Sequence, residues 1–388
     1  MRLVGTTAMG IRLPIIGFGD DLVEIVASHV QQVTKDSPLL PTDVVAVTEA
    51  MVAKSEGNFA TISDIASDVR AKFGDAEVGL VYPMLSRNRF YRILQGIAAG
   101  AKHVHILLSF PYDEVGNPLM DIEKYDDVLD VLPTGLVTVA QFRAAAGDYL
   151  HPFTGMDYID MYQAVGDNIS IYLSNNPRDI LKLTKHVLIG EIHSRFITKK
   201  RLEKAGATTV YTLCDILKQS INGSGSNSKY GVLGSNLSGD DALKLFPNSS
   251  QEFVANLQVR LEEKTGVAPE VMVYADGAFK DPYCGIWELA DPVVSPGFTA
   301  RLGGRPDELK LKFVADSLAG SQSHEDKELA IKQMIQNKAD NPNAFREGTT
   351  PRIYADLLGS LCDLIGGSGD KGTPVVLVRG YFDDYTTP

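Results

Sequence analysis

The sequence predicts a mixed α/β protein built in two or three parts, and three observations support this prediction. Short β-branched apolar runs, such as those at 44–47 and 271–274, have the length and composition of buried strands. Between residues 137 and 217, runs of this kind alternate with helical patterns, as in sheets of parallel strands. A Gly/Ser/Asn-rich stretch at 222–228 has neither pattern and is typical of a linker.

The composition is that of a soluble globular protein, with 388 residues of which 44% are hydrophobic and 22% charged. The formal net charge of -12 argues against broad binding of nucleic acids, because it would repel their phosphates. No apolar run is long enough to span a bilayer, and we find no signal peptide. Cys214, Cys284 and Cys362 are scattered, which fits a reducing compartment, and we expect a cytoplasmic protein.

The first predicted helix begins after Asp20 and Asp21, where Leu22 and later apolar residues recur at helical spacing. A carboxylate at such a position accepts hydrogen bonds from the first helical amides and interacts favourably with the helix dipole. We therefore interpret both aspartates as helix caps in preference to metal ligands.

The stretch from Asp43 to Gly57 contains the most informative local pattern. It opens as a buried strand and changes to helical spacing before it ends on Lys54, Glu56 and Gly57. A cation, a carboxylate and a glycine close together after a buried strand suit an anion, especially a phosphate. The alternative is a surface helix end with a glycine cap and solvated charges.

A predicted helix that follows residue 86 carries three arginines, Arg87, Arg89 and Arg92. This basic cluster could hold an anionic ligand or an acidic partner. Alternatively, it is a solvated face on an otherwise acidic protein.

A polar loop follows the strongly apolar strand predicted at 104–110 and contains Asp113, Glu114 and Asn117. Because α/β sheets place ligands at such loops, these three residues form a second candidate site. The alternative is a turn, which the Gly-Asn-Pro sequence within the loop favours.

The middle of the chain alternates strands and helices. The predicted strands are 169–173, 187–192 and 209–213, and the predicted helices are 177–183 and 198–205. No Gly-x-Gly-x-x-Gly sequence follows any of these strands, so a dinucleotide site is not supported.

The last part of the chain places a carboxylate at the end of a buried strand. Asp276 and Gly277 follow the strand predicted at 271–274, a suitable place for a divalent cation that carries phosphate oxygens. The remaining predicted elements are a helix at 251–264, a strand at 311–314, a helix at 353–364 and a strand at 375–378. The Gly-rich loop before the last strand lacks a P-loop sequence, although its Lys371 could swing toward a phosphate.

Several of these segments occur in the order found in one known family. They are the run from Gly10 to Leu22, Lys54-Ser-Glu-Gly57, Gly234-Ser-Asn236, Tyr274-Ala-Asp-Gly277 and Thr373-Pro-Val-Val-Leu-Val-Arg-Gly380. Together they resemble the coenzyme F-420 γ-glutamyl ligase family. The motifs lie before residue 82 and after residue 228, and they leave the middle unexplained.

The resemblance implies a ligase-like body formed by residues 1–81 and 229–388, interrupted by an inserted α/β domain at 82–228. It implies an enzyme that uses GTP and Mg²⁺ or Mn²⁺ to join L-glutamate to an acceptor carboxylate. The acceptor would be a coenzyme F-420 precursor or a related compound, and ATP in place of GTP stays open. The family's members are homodimers, so we expect a homodimer.

The resemblance also assigns the residues of a site. Lys54 and Glu56 would be catalytic and would face the phosphates and the substrate. The nucleotide-binding residues would be Gly10, Leu13, Pro14, Lys54, Gly57, Asn236 and Gly277. Asp276 would hold the metal ion, and Arg379 would lie near the same face.

One departure from the family concerns an aspartate that binds metal, whose position is taken here by Leu233. Leucine cannot bind a metal, so Asp240 or Asp241 would have to replace it. The alternative function is therefore a non-catalytic paralogue that binds a nucleotide or a phosphorylated ligand. A third possibility is a separate activity of the inserted domain, at its polar loop and basic cluster.

Overall fold

The computed structural model describes residues 3–239, 241–276, 293–318, 323–338, 352–367 and 369–387, together with the strands at 279–280 and 287–288. The strands are β1 (Thr7–Ile11), β2 (Val44–Thr48), β3 (Phe59–Thr61), β4 (Glu77–Val81), β5 (His103–Leu108), β6 (Val137–Thr138), β7 (Ile169–Leu173), β8 (His186–Ile189), β9 (Thr209–Thr212), β10 (Asn236–Ser238), β11 (Ala242–Lys244), β12 (Glu270–Tyr274), β13 (Phe279–Lys280), β14 (Trp287–Glu288), β15 (Gly297–Phe298) and β16 (Val375–Arg379).

The helices alternate with these strands along most of the chain. They are α1 (Leu22–Val33), α2 (Glu49–Ser55), α3 (Ile62–Phe73), α4 (Phe90–Gly100), α5 (Tyr125–Val131), α6 (Val139–Ala146), α7 (Tyr158–Gln163), α8 (Arg195–Lys204), α9 (Ser250–Thr265), α10 (Leu311–Ser317), α11 (His324–Gln336) and α12 (Tyr354–Ile365). The predicted α/β class is confirmed. In the described parts of the chain, no helix has the length and apolarity needed to cross a membrane.

The first of two large sheets has the strand order β1-β16-β2-β12-β15. In it β2 and β12 run parallel, and the other neighbouring strands are antiparallel. Both faces of β2 are covered, because Val45 and Val47 pack with α1 and α9, whereas Val44 and Ala46 pack with α12. The buried strand predicted at 44–47 is thus confirmed, and its continuous apolar sequence follows from burial on both faces.

The second large sheet has the order β6-β7-β5-β4-β8-β9, with five parallel strands and antiparallel β6 at one edge. Strands β5 and β7 continue from β4 on one side, and β8 and β9 lie on the other side. The strands predicted at 169–173, 187–192 and 209–213 are confirmed as β7, β8 and β9, with differences at their ends. In sheets of this kind, side chains after the carboxyl ends of the strands face a common edge.

A small antiparallel sheet, β10-β11-β3, joins two distant parts of the chain. Strand β3 follows α2, whereas β10 and β11 come after residue 228 and form a hairpin that contacts α2. This sheet therefore brings Asn236 and Lys244 next to the helix that carries Lys54.

The predicted boundary at residue 82 falls directly after β4, which is a strand of the second large sheet. Helix α3, which precedes this boundary, packs against α4 of the same layer. The division into 1–81, 82–228 and 229–388 stays a prediction.

Two local predictions have clear outcomes. Asp21 caps α1 as predicted, because its Oδ1 accepts a hydrogen bond from the amide of Glu24 at 3.0 Å. The same prediction is wrong for Asp20, whose carboxylate accepts a hydrogen bond from the amide of Gly17, before the helix. The strand predicted at 311–314 is wrong, since these residues begin helix α10. A four-residue apolar run does not distinguish a strand from the first turn of a helix.

Candidate active site

The carboxyl ends of the parallel strands β2 and β12 open into a cleft of about 680 Å³. The loop that follows β4 and the β10–β11 hairpin complete its walls. Its polar lining residues are Thr48, Glu49, Lys54, Asn88, Asn236, Ser238, Lys244, Asp276 and Asp363. The cleft is large enough for a nucleotide-sized ligand, and it combines cations, carboxylates and amides.

Three residues predicted from separate motifs meet in this cleft: Lys54, Asn236 and Asp276. Helix α2 begins directly after β2, so Glu49 in its first turn and Lys54 in its last turn both reach the cleft. Asp276 follows the end of the neighbouring strand β12. Because the two strands are parallel, residues that follow their carboxyl ends share one edge of the sheet.

Two ion pairs bring charges from distant segments to this cleft. Lys244 pairs with Glu49, and only 12% and 6% of their side-chain surfaces are exposed. Arg89 pairs with Asp276, whose side chain is 45% exposed while that of Arg89 is 14% exposed. The first pair is almost entirely buried in the wall of the cleft, and the second lies where ligands and solvent can reach the carboxylate of Asp276.

Glu56 and Gly57 lie on the far side of α2 and do not line the cleft. The Oε1 atom of Glu56 accepts a hydrogen bond from the amide of Asn248 at 2.8 Å, just before α9. Burial raises the pKa of Glu56, and its hydrogen bonds to Asn248 and Ser249 oppose this rise. The contacts of Glu56 are those of a residue that joins α2 to α9, and Gly57 lies against the ring of Phe18.

Gly10, Leu13 and Pro14 also lie outside the lining of the cleft. Gly10 of β1 pairs with Val376, and a Cβ added at Gly10 would lie 2.9 Å from the Cβ of Thr373. The amide of Leu13 donates a hydrogen bond to the carbonyl of Gly372 at 3.3 Å, and Pro14 is exposed. These contacts fasten the N-terminal segment to the loop before β16.

Of the predicted metal ligands that the structure describes, Asp276 lines the cleft and Asp241 does not. Asp241 is exposed at the tip of the β10–β11 hairpin, and Asp240 and Gly277 lie outside the described residues. Leu233 is 1% exposed and packs in the core beneath the second large sheet. Within the described ranges, no group of three or more His, Cys, Asp or Glu side chains is placed to hold a metal ion.

The donor set nevertheless fits a magnesium or manganese ion that arrives with phosphate oxygens. Mg²⁺ is usually held by one or two carboxylates plus the phosphates of its substrate, without an all-protein cage. Glu49, Asp276 and Asp363 supply carboxylates to the cleft, and Asn236 supplies an amide. Lys54 adds a cation that suits the same phosphates.

Arg379 does not lie near the cleft, so that prediction is wrong. It stands at the amino end of β2, because β16 runs antiparallel to β2 and pairs Val378 with Val44. Its Nε donates to the buried carboxylate of Asp43 at 3.0 Å, and its other nitrogens bind the loop before β2. Arg379 therefore neutralises a buried charge at the opposite edge of the sheet.

The second candidate site consists of residues that hold loops together. Asp113 is buried and accepts hydrogen bonds from three backbone amides and from the side chain of Asn117. Burial raises the pKa of Asp113 to about 6. Glu114 accepts hydrogen bonds from the amides of Ile192 and His193, which follow β8. These contacts favour the turn interpretation.

The family comparison agrees with the motifs that meet in the cleft. The model of the family described as F420-0:Gamma-glutamyl ligase matches residues 10–380. The chain belongs to this family. F420-0:gamma-glutamyl ligases act in coenzyme F-420 biosynthesis and join glutamate to an acceptor. The matched range includes the central residues that the motifs left unexplained, and no curated protein matches the chain.

Sequence reasoning missed several residues of the cleft. Glu49 lies within the stretch that suggested the site, but no local pattern distinguished it from a helix-start carboxylate. Lys244 ends a three-residue strand that the sequence does not mark. Asn88 and Arg89 belong to the basic segment, for which anion binding was one of two interpretations. That interpretation was the sequence signal that pointed to these two residues.

Proposed function

We propose that the protein is a GTP- and metal-dependent γ-glutamyl ligase, which forms an amide between L-glutamate and an acceptor carboxylate on a coenzyme F-420 precursor or a related compound. The observation that carries this proposal is the meeting of Lys54, Asn236 and Asp276 in one cleft, although they come from three separate motifs. Family membership supports the reaction class. The nucleotide, the metal and the roles of these residues are our inference.

The proposed chemistry has two steps. First, an oxygen of the acceptor carboxylate bonds to the γ-phosphorus, the bond to the β-phosphate oxygen breaks, and GDP leaves. The amine of glutamate then bonds to the acyl carbon of the acyl phosphate, phosphate leaves, and the amine loses a proton. Both steps need two anions held close together, so positioning and charge neutralisation contribute most of the rate.

The cleft residues suit these tasks. Lys54 can donate to the phosphate oxygens, and a hydrogen bond to a charged group contributes about 1.5–3 kcal/mol. Asp276 would hold the divalent cation together with phosphate oxygens of the nucleotide, and the cation would neutralise charge on the transferred phosphoryl group. The amide of Asn236 can donate to an anion or accept from the glutamate amine.

The alternative is a non-catalytic paralogue that binds a nucleotide or a phosphorylated ligand. Leu233 favours this alternative, because it occupies the position of a family metal ligand, cannot bind a metal and is buried in the core. Asp241 is exposed at the hairpin tip, so it does not replace that ligand in this conformation. Such a paralogue would keep ligand binding but would not release phosphate.

Phosphate release distinguishes the two functions. The protein is incubated with GTP, Mn²⁺, L-glutamate and a coenzyme F-420 precursor, with ATP and Mg²⁺ in parallel reactions. We expect release that needs both glutamate and acceptor, and that falls about a hundredfold in Lys54→Ala and Asp276→Ala. Lys35→Ala, at an exposed position on the opposite edge of the sheet, is the control. Binding of GTP without release would support the paralogue.

The homodimer expected from the family is a separate proposal. Sedimentation velocity of the full chain over a range of concentrations tests it, and a single species with the mass of one chain would contradict it.

A further inference from the structure

We infer that Arg89 is an anion-binding residue, which Asp276 holds at the edge of the cleft until a divalent cation takes over that carboxylate. In this exchange the cation binds Asp276, and the released guanidinium binds a phosphate or carboxylate of the ligand. The inference rests on the proposed function, because it describes how the same cleft passes from its empty to its loaded form.

The position of Arg89 gives it access to the ligand from the second large sheet. It directly precedes α4 in the loop after β4, and its amide donates to the Oγ of Ser86 at 3.1 Å. The neighbouring residue Asn88 lines the cleft, and its carbonyl accepts a hydrogen bond from the amide of Leu237 at 3.1 Å. The loop is therefore held against the β10–β11 hairpin, and the Arg89–Asp276 pair connects the two large sheets across the cleft.

The charges at this position require an exchange when a metal binds. A guanidinium keeps its proton at any physiological pH, so Arg89 and a divalent cation compete for the carboxylate of Asp276. A cation bound to Asp276 weakens the ion pair and repels the guanidinium. The metal arrives with phosphate oxygens, which accept the planar, two-pronged set of N–H donors of arginine particularly well.

The two ion pairs of the cleft differ in a way that assigns the exchange to Arg89. Lys244 and Glu49 are almost entirely buried, and separating such a pair would leave two charges without a partner and without water around them. The carboxylate of Asp276 is 45% exposed, so an incoming ion can reach it and its pairing with arginine is weak in free energy. The Lys244–Glu49 pair is thus a fixed part of the wall, and the Arg89–Asp276 pair is replaceable.

The neighbouring arginines provide a matched comparison. Arg87 is exposed, and Arg92 donates from Nη1 to the Oε1 of Gln95 at 2.8 Å on the same helix. Of the three arginines in the basic cluster, Arg89 is the one that pairs with a residue of the cleft. Arg92→Gln therefore removes a similar charge three residues further along the chain, inside α4, without touching the proposed exchange.

The test measures two affinities on the full chain by titration calorimetry. Mn²⁺ is titrated alone, and GTP is then titrated at saturating Mn²⁺, for the wild type, Arg89→Gln, Arg89→Lys and Arg92→Gln. In Arg89→Gln we expect Mn²⁺ alone to bind about three- to tenfold tighter, because its competitor is gone. We expect GTP with Mn²⁺ to bind about ten- to a hundredfold more weakly, because a charged hydrogen-bond donor is lost.

The opposite signs of these two changes distinguish an exchange from a structural role, which would leave both affinities unchanged or weaken both. Arg92→Gln should match the wild type in both titrations, and Arg89→Lys should bind GTP with an intermediate affinity because it keeps the charge without the planar fork. Circular dichroism verifies folding, and Arg89→Met, which also removes the competing charge, serves as the test variant if Arg89→Gln does not fold.

The inference is overturned if Arg89→Gln weakens Mn²⁺ binding, or if both of its affinities equal those of Arg92→Gln. The proposed function survives either result as long as the wild type binds GTP with Mn²⁺. If the wild type binds no GTP, the proposed function fails. In that case the statement that Arg89 binds the ligand fails as well. The Mn²⁺ titrations still decide whether Arg89 competes with the cation for Asp276.

Discussion

Gly57 ends the helix that carries Lys54 into the cleft, and its conformation allows a quantitative prediction. Its φ is +69°, and a Cβ added there would lie 2.5 Å from Cδ2 and 2.7 Å from Cε2 of the Phe18 ring. Gly57→Ala therefore has two costs. The left-handed backbone costs about 1–2 kcal/mol for a residue with a Cβ. The ring must also move, and we assign about 1 kcal/mol to this step, because Phe18 is 79% exposed and can turn away.

Gly266 separates these two costs. Its φ is +76° and its ψ is 7°, a left-handed conformation, and among the described residues no heavy atom lies within 4 Å of an added Cβ. Gly266→Ala should thus lower the free energy of unfolding by the backbone cost alone, about 1–2 kcal/mol. Gly57→Ala should lower it by about 2–3 kcal/mol. In a Phe18→Ala background, the cost of Gly57→Ala should fall to that of Gly266→Ala.

Urea unfolding of the five proteins (wild type, the three single variants and the double variant) measures these differences. GTP binding is measured in parallel, and we expect Gly57→Ala to bind GTP within about twofold of the wild type, because Gly57 does not line the cleft. The reasoning is refuted if Gly57→Ala costs no more than Gly266→Ala, or if Phe18→Ala does not relieve the extra cost. Loss of GTP binding with unchanged stability would place Gly57 in the nucleotide site, as the family resemblance implies.

Three further predictions concern charges. Arg379→Met should lower the free energy of unfolding by about 3 kcal/mol, because buried Asp43 loses its cation, and an unchanged urea midpoint would contradict this. Lys244→Met should lower the free energy of unfolding by a similar amount, about 3 kcal/mol, because it leaves Glu49 buried without its cation. Arg89→Gln should lower it by less than about 1 kcal/mol, because Asp276 is partly exposed. Equal losses in the two variants would disprove the contrast between the two ion pairs. Burial raises the pKa of Glu191 to about 7, and nearby Glu114 adds to the rise. The folded protein therefore binds this proton more tightly than the unfolded chain, and stability present below about pH 4.5 is lost as the pH rises to about 7. Glu191→Gln should remove this loss and gain at most about 3 kcal/mol relative to the wild type between pH 5 and pH 8, as urea midpoints at the two pH values will show.

The central strands and two residues of the cleft were predictable for a physical reason. A strand buried on both faces reads as a continuous apolar run, which identifies β2 and β12 from sequence alone. Polar residues that follow such strands collect at one edge of a parallel pair, and this brings Lys54 and Asp276 together. The position of Asn236 came from the order of the family motifs.

The rest of the cleft depends on contacts between segments that are far apart in the chain. Arg89 and Asp276 are 187 residues apart in the sequence, and Lys244 and Glu49 are 195 residues apart, so no local sequence pattern predicts either ion pair. Glu56 shows the converse, because it lies only two residues from Lys54 but faces α9. The direction of a side chain at a helix end is set by the neighbouring element, which the sequence does not reveal.

The measurement that tests the central claim most directly is titration of GTP by calorimetry, with and without Mn²⁺, on the wild type, Lys54→Ala and Asp276→Ala. ATP and Mg²⁺ replace GTP and Mn²⁺ in a second series. We predict binding that requires the metal ion and that is weakened at least about tenfold in both variants, while Lys35→Ala binds as the wild type does. Binding that is absent from the wild type, or that is unchanged in both variants, would contradict the assignment of this cleft as the nucleotide site.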